Sequence, residues 1–212
     1  MSGDKALSEY GRRLWSACRF IEADTPAGQY LLSRRCNLPD PGAHMRWHPD
    51  LRHPSGYVGP ALVGLVTDAL DASRWMTLHR TWIRPDGTKA DVDPPRMLLA
   101  GHSKAGGVIR MSFMENTILV VAEGIETALT PILDLPVWAC IDAGNLASFP
   151  VIDGVALLWV AVDNDVAGNK AFEKVRDRWL KADREIIGRR APVVGMDLND
   201  WAMAGHDDWR VY

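Results

Sequence analysis

Five carboxylates of this 212-residue chain fall where the hydrophobic pattern ends a strand. Glu123 follows TILVVA (117–122), Asp163 and Asp165 follow VALLWVAV (155–162), and Asp197 and Asp200 come after APVVG (191–195). VWACI (137–141) is a further run of this kind, and continuous apolar runs alternating with helical stretches read as parallel strands buried on both faces. Right-handed crossovers bring the carboxyl ends of such strands to one edge, the edge where open α/β sheets bind ligands. Carboxylates gathered there repel one another unless a cation neutralises them. All-oxygen donors suit Mg²⁺ or Mn²⁺, which keep waters and bridge to phosphate oxygens, so the chemistry implied is phosphoryl or nucleotidyl transfer. Any one of these sites could be only a helix N-cap: Asp165 before VAGNKAFEKV, or Asp197 and Asn199 before DWAMAG. Three acidic motifs in order at three strand ends, with Gly124 and Gly168 to relieve the turns, favour the shared crevice.

The elements that must position them divide the chain near residue 115. Residues 115–212 read as an α/β unit with helices near 126–134 and 166–183 and a short turn at 145–148. In the long helix, Ala167, Ala171, Val175, Trp179 and Ala182 form the inward face. Residues 1–114 read as a smaller α+β unit. Leu7, Tyr10, Leu14, Cys18 and Ile21 make one helical face that ends near Asp24; Thr25 and Pro26 cap and open a second short helix. MRWH (45–48) is a short strand in a stretch rich in proline. ALVGLVTDA, RWMTLHRTWI, RMLLAG and VIRMS form a small antiparallel sheet, with a turn at Pro85-Asp86-Gly87.

At the acidic motifs the sequence resembles the Toprim domain of DnaG-type primases, topoisomerases, RecR proteins and several nucleases. AEGIETAL carries the glutamate motif, Asp163-Asn164-Asp165 with Ala167-Gly168 the second, and GMDLNDW the third. The resemblance implies Glu123 as general acid or base and Asp163, Asp165, Asp197 and Asp200 as ligands of Mg²⁺ or Mn²⁺. Met196 and Asn199 depart from the usual third motif. TPAGQYLLSRR, MRWHPDL, PALVGLV, LHRTWIRPDGTKA and GGVIRM resemble the region that precedes Toprim in primases of phages and mobile elements; the zinc ribbon and helicase domain often fused to such primases are not among these residues. The function implied is synthesis of RNA primers from nucleoside triphosphates on a single-stranded DNA template, with a helicase or other replication protein supplied in trans. A metal-dependent nuclease and a non-catalytic binding protein are the alternatives; a topoisomerase is disfavoured, because nothing marks a nucleophilic tyrosine domain.

Template and triphosphate then need cations opposite the metal. His79, Arg80, Lys89, Lys104 and Arg110 are the candidates, the last two flanking Gly106-Gly107. The overall charge of −3 conceals an asymmetry: residues 1–114 hold 15 Lys+Arg and 11 Asp+Glu, residues 115–212 hold 9 and 16. The first unit suits phosphate and the second metal; so small a basic excess predicts weak, salt-sensitive DNA binding. His44, His48 and His53 with Cys36 match no zinc-finger spacing, and the three cysteines form no CxxC pair. The nine tryptophans are scattered as core residues are. No apolar run nears the roughly 18 residues of a membrane span, and the expected setting is the cytoplasm.

Overall fold

A computed structural model describes residues 6–114, 117–130 and 135–206. Its architecture is mixed α/β, with an N-terminal, mostly antiparallel part followed by a parallel part. The strands are β1 (Met45–Arg52), β2 (Val58–Asp68), β3 (Trp75–Trp82), β4 (Arg96–Leu98), β5 (Gly107–Arg110), β6 (Ile118–Ala122), β7 (Val137–Ala139), β8 (Leu157–Ala161) and β9 (Glu185–Arg189). All nine join one sheet in the order β4-β3-β2-β5-β7-β6-β8-β9, with β1 also paired to β2. The antiparallel and parallel sheets expected from the sequence are therefore spliced edge to edge. The splice is short: β5 pairs with β2 through Thr67↔Val108 and Asp68↔Gly107, and with β7 through Ile109↔Ala139 and Arg110↔Trp138.

Helices cover both faces: α1 (Glu9–Ala17), α2 (Pro26–Ser33), α3 (Ile125–Leu129), α4 (Ala143–Ser148), α5 (Val166–Lys181) and α6 (Leu198–Met203). Period-two alternation sorts the parallel strands between two cores. Leu119, Val121, Leu158 and Val160 pack under α4 and α5, whereas Val120, Ala122, Trp159 and Ala161 face α2, α3 and α6. Each such Leu or Val contributes about 1.5–3 kcal/mol on burial, so a five-residue strand filled on both faces is held firmly. A third core under α1 takes Leu14, Trp15, Leu78 and Trp82. Trp47, Trp138 and Trp179 are buried as well, while Trp209 lies outside the described residues.

Several boundaries move, each for a physical reason. Thr25 caps α2 through Gly28 N–H at 3.1 Å, as its sequence implies. The first helix stops at Ala17 rather than near Asp24, because Arg19 leaves it to pair antiparallel with Trp47. The last strand is Glu185–Arg189, not 191–195; Gly195 has φ +88° and the segment around it is loop. Asp183, at φ +57°, ends the turn after α5 and lets β9 begin. The inward face of α5 is Gly168, Ala171, Phe172, Val175 and Trp179; Ala167 and Ala182 are exposed. The helix expected over 126–134 begins at Ile125 and leaves helical geometry at Thr130, and residues 131–134 lie outside the described residues.

His44, beside Thr67 at 3.3 Å, has its pKa lowered to about 4 by burial and then by Arg110 and Arg46. The unfolded chain takes up that proton near pH 6.5 and the folded chain only near 4, so between those values stability falls as pH falls. Urea titrations at pH 7 and pH 4.5 should show a smaller acid loss for His44→Gln than for the parent.

Candidate metal centre

Ala122 of β6 pairs in parallel with Ala161 of β8. The residues that leave those strands therefore emerge side by side, and they carry Glu123 and Asp163. The first turn of α5 closes on both. A Cβ at Gly168 would stand 2.4 Å from the Asp163 carbonyl oxygen and 3.1 Å from Glu123 Oε1, so only glycine lets the helix approach.

Within this packing Glu123 Oε1 and Asp163 Oδ1 are buried with no hydrogen-bond partner. Burial first, then Asp165, raises the Glu123 carboxyl to about 7. Burial first, then Glu123, Asp197, Asp165 and Asp200, raises Asp163 to about 7 as well. The acidic residues of all three motifs thus act on one another at one edge, as the sequence implies.

The helix-cap reading holds at the same time. Asp165 accepts from Gly168 N–H at 2.7 Å and caps α5. Asp197 accepts from Asp200 N–H at 2.7 Å and caps α6; burial raises its pKa while that amide and the Thr127 hydroxyl pull it back. The Asp165 cap uses one carboxylate oxygen, Oδ1, and leaves the other. Asp200 is exposed, 3.9 Å from Arg34. Among the described residues no three His, Cys, Asp or Glu side chains enclose an ion. Two donorless carboxylate oxygens with capping aspartates beside them nonetheless fit a divalent cation of the Mg²⁺ kind, which takes one or two carboxylates and fills its shell with water and phosphate.

Asn199 serves a different purpose. Fully buried, its Oδ1 accepts from Arg34 Nε and Nη2 at 3.1 and 2.8 Å, while its Nδ2 donates to the Arg34 carbonyl at 2.8 Å and to Thr130 Oγ1 at 3.0 Å. An aspartate there could not donate. The third motif's departure from acid at this position secures α6 to the end of α2.

The cations proposed from sequence separate into two groups. His79 has a buried, partnerless Nδ1, and burial followed by Arg96 lowers its pKa to about 4. Lys89 is exposed and lies in the field of Arg96, Glu126 and Arg34. These two share a neighbourhood, and Lys104, ion-paired to Asp142, also acts on His79. Arg80 points to the opposite face of β3, as strand alternation requires; it is buried, donates to the Leu98 carbonyl at 2.8 Å and lies 5.1 Å over Trp82. Arg110 donates to the carbonyls of Asp68 and Ala69 and to Thr67 Oγ1, and stacks 4.3 Å over Trp138. Both guanidinium groups brace the sheet.

Arg34, Arg96 and Glu126 were not legible as site residues. Glu126 is buried, with Arg96 Nη2 and the Tyr30 hydroxyl each at 2.6 Å. Burial alone would raise its carboxyl, but Arg96 and Tyr30 more than offset that and hold it below the usual range. Arg96 is itself exposed, so the pair is anchored in the protein at its Glu126 end alone. The spacing Glu123-x-x-Glu126 was visible in EGIE; its partners, distant in sequence, were not.

Residues 118–207 match the Toprim domain, and residues 5–111 match the Domain of unknown function (DUF7146). Two solved chains match. One belongs to the crystal structure of the Aquifex aeolicus primase (zinc binding and RNA polymerase domains), 15% identical, with a TM-score of 0.49. That match covers 84% of this chain and 52% of the primase chain, so this chain spans about half the length of the solved protein. No curated protein matches. The chain belongs to the DUF7146 family and carries, behind that domain, a Toprim domain.

Proposed function

We propose that this protein is a primase-like nucleotidyltransferase that makes RNA primers on single-stranded DNA from nucleoside triphosphates. The observation that carries the reading is the pair of buried, partnerless carboxylate oxygens, Glu123 Oε1 and Asp163 Oδ1, at the carboxyl edge of a Toprim sheet. Toprim domains are generally divalent-metal dependent. In this reading Asp163 and Asp165, with Asp197 and Asp200, hold Mg²⁺ or Mn²⁺. Bound there, the ion would neutralise phosphoryl oxygens and stabilise the leaving oxygen.

The chain's own residues divide the remaining work. Glu123, with its pKa near 7, takes the proton from the attacking hydroxyl, because a general base works best when its pKa lies near the working pH. Lys89, Arg96 and Arg34 supply positive charge for triphosphate or template phosphates, with His79 neutral beside them. Arg34 reaches both units, through Asn199 and toward Asp200. The unit that presents these cations is residues 1–114 and the unit that holds metal is 115–212. A helicase or similar replication protein is the partner supplied in trans, and the cytoplasm is the setting.

A template-directed assay with labelled nucleotides tests the reading. The parent should extend on single-stranded DNA with Mg²⁺, and Glu123→Gln and Asp163→Asn should lose at least about 100-fold, the lower range for a positioned proton acceptor. Undiminished synthesis by either variant would overturn it, and shortening of labelled DNA without nucleotides would assign a nuclease instead.

The same carboxylates predict a stability effect. A carboxyl whose folded pKa is raised destabilises the fold once ionised, so the penalty is complete above pH 7 and relieved as pH falls toward 4. Without metal, Asp163→Asn should melt several degrees above the parent at pH 8, and that difference should shrink at pH 5. Mn²⁺ should raise the melting temperature of the parent and not of the variant.

A further inference from the structure

Between the two aspartates of the second motif lies Asn164, half-buried. Its Nδ2 donates to the Ala191 carbonyl at 2.9 Å. Its backbone N–H donates to the Met196 carbonyl at 3.1 Å, and its carbonyl accepts from Gly195 N–H at 2.7 Å. All three bonds go to one loop, the segment that leaves β9 and ends at Asp197. That segment has no strand pairing of its own; it turns at Gly195, φ +88°, and closes internally through Met196 N–H to the Val193 carbonyl at 3.2 Å. The other end of the third motif is held independently, by Asn199 against α2.

We propose that Asn164 is a positioning residue: by strapping residues 191–196 to the second acidic motif, it sets the Asp197 carboxylate against Asp163. The proposal rests on the metal-dependent reading above and adds to it the group that fixes the distance between two of its ligands. The residue type follows from the bonds. Aspartate at 164 would set a carboxylate against the Ala191 carbonyl, two acceptors with no proton between them, and alanine would leave that carbonyl without its donor. Groups that orient metal ligands from behind are commonly worth 10–100-fold in affinity, and Asn164 acts through several bonds of backbone, which points to the lower figure.

Two measurements on the full chain test this. Calorimetric titration with Mn²⁺ should show Asn164→Ala binding about tenfold more weakly than the parent. Asp197→Asn should also weaken binding, and the double variant should bind no more weakly than Asp197→Asn alone, because Asn164 acts only through Asp197. Effects that multiply would overturn the proposal. Amide hydrogen exchange, read without metal, should be faster at Gly195 and at residue 164 in Asn164→Ala, and in the near-isosteric Asn164→Asp should the alanine variant fail to fold, with both melting within a few degrees of the parent. Unchanged exchange at both amides would overturn the strap. A parent that binds no Mn²⁺ would sink the metal reading, while the exchange data would still decide whether the strap exists.

Discussion

Two half-buried carboxylates, each with one oxygen out of water and without a donor, repel each other at every pH where both are charged, and much of the surrounding structure exists to keep them adjacent regardless. The parallel pairing of β6 and β8 places Glu123 and Asp163 at neighbouring strand ends. Gly168 lets the start of α5 press against both. Hydrophobic burial on the two faces of those strands supplies the opposing stabilisation, with Val120, Val121, Trp159 and Val160 nearly inaccessible. Such frustration concentrated at one edge of an otherwise consistent fold is what a functional site looks like energetically.

Around that edge the polar contacts are matched to the requirement. Asn199 donates and accepts where an acid could only accept, and so joins α6 to α2 without adding charge to the crevice. Glu126, three residues after Glu123, is instead neutralised by Arg96 and Tyr30. Two glutamates of one short motif thus meet opposite environments, one deprived of partners and one supplied with them. The first is left able to exchange a proton near neutrality; the second stays ionised and joins α2, α3 and β4.

Much of this was legible in the sequence, and the parts that were not share a cause. Local signals succeeded: Thr25-Pro26 opens a helix, the apolar runs at 118–122 and 157–161 are strands, and Asp163 with Glu123 stands at their ends. Signals that depend on which face of a strand looks where did not transfer. His79 and Arg80 are neighbours in sequence but face opposite cores, and the charge of Arg110 is absorbed by carbonyls at the end of β2. Arg34 and Arg96 gain their meaning from partners 165 and 30 residues away. The strand at 185–189 was hidden because charged residues, Glu185 and Arg189, stand at both ends of its short apolar stretch, while Pro192 and Gly195 interrupt the segment that looked more like a strand.

The splice through β5 also has a mechanical meaning. Two ladder pairs on each side make β5 the narrowest point of a nine-stranded sheet, yet they cover the end of β2 and the outer edge of β7. A Toprim half severed before β6 would bare β7 along its length, and an N-terminal half severed there would keep β5 with one side open. Bare edges of this kind pair readily with other chains. The two halves therefore protect each other from aggregation, and dissecting this protein calls for a cut that leaves β5 attached to the Toprim half together with a cover for the end of β2.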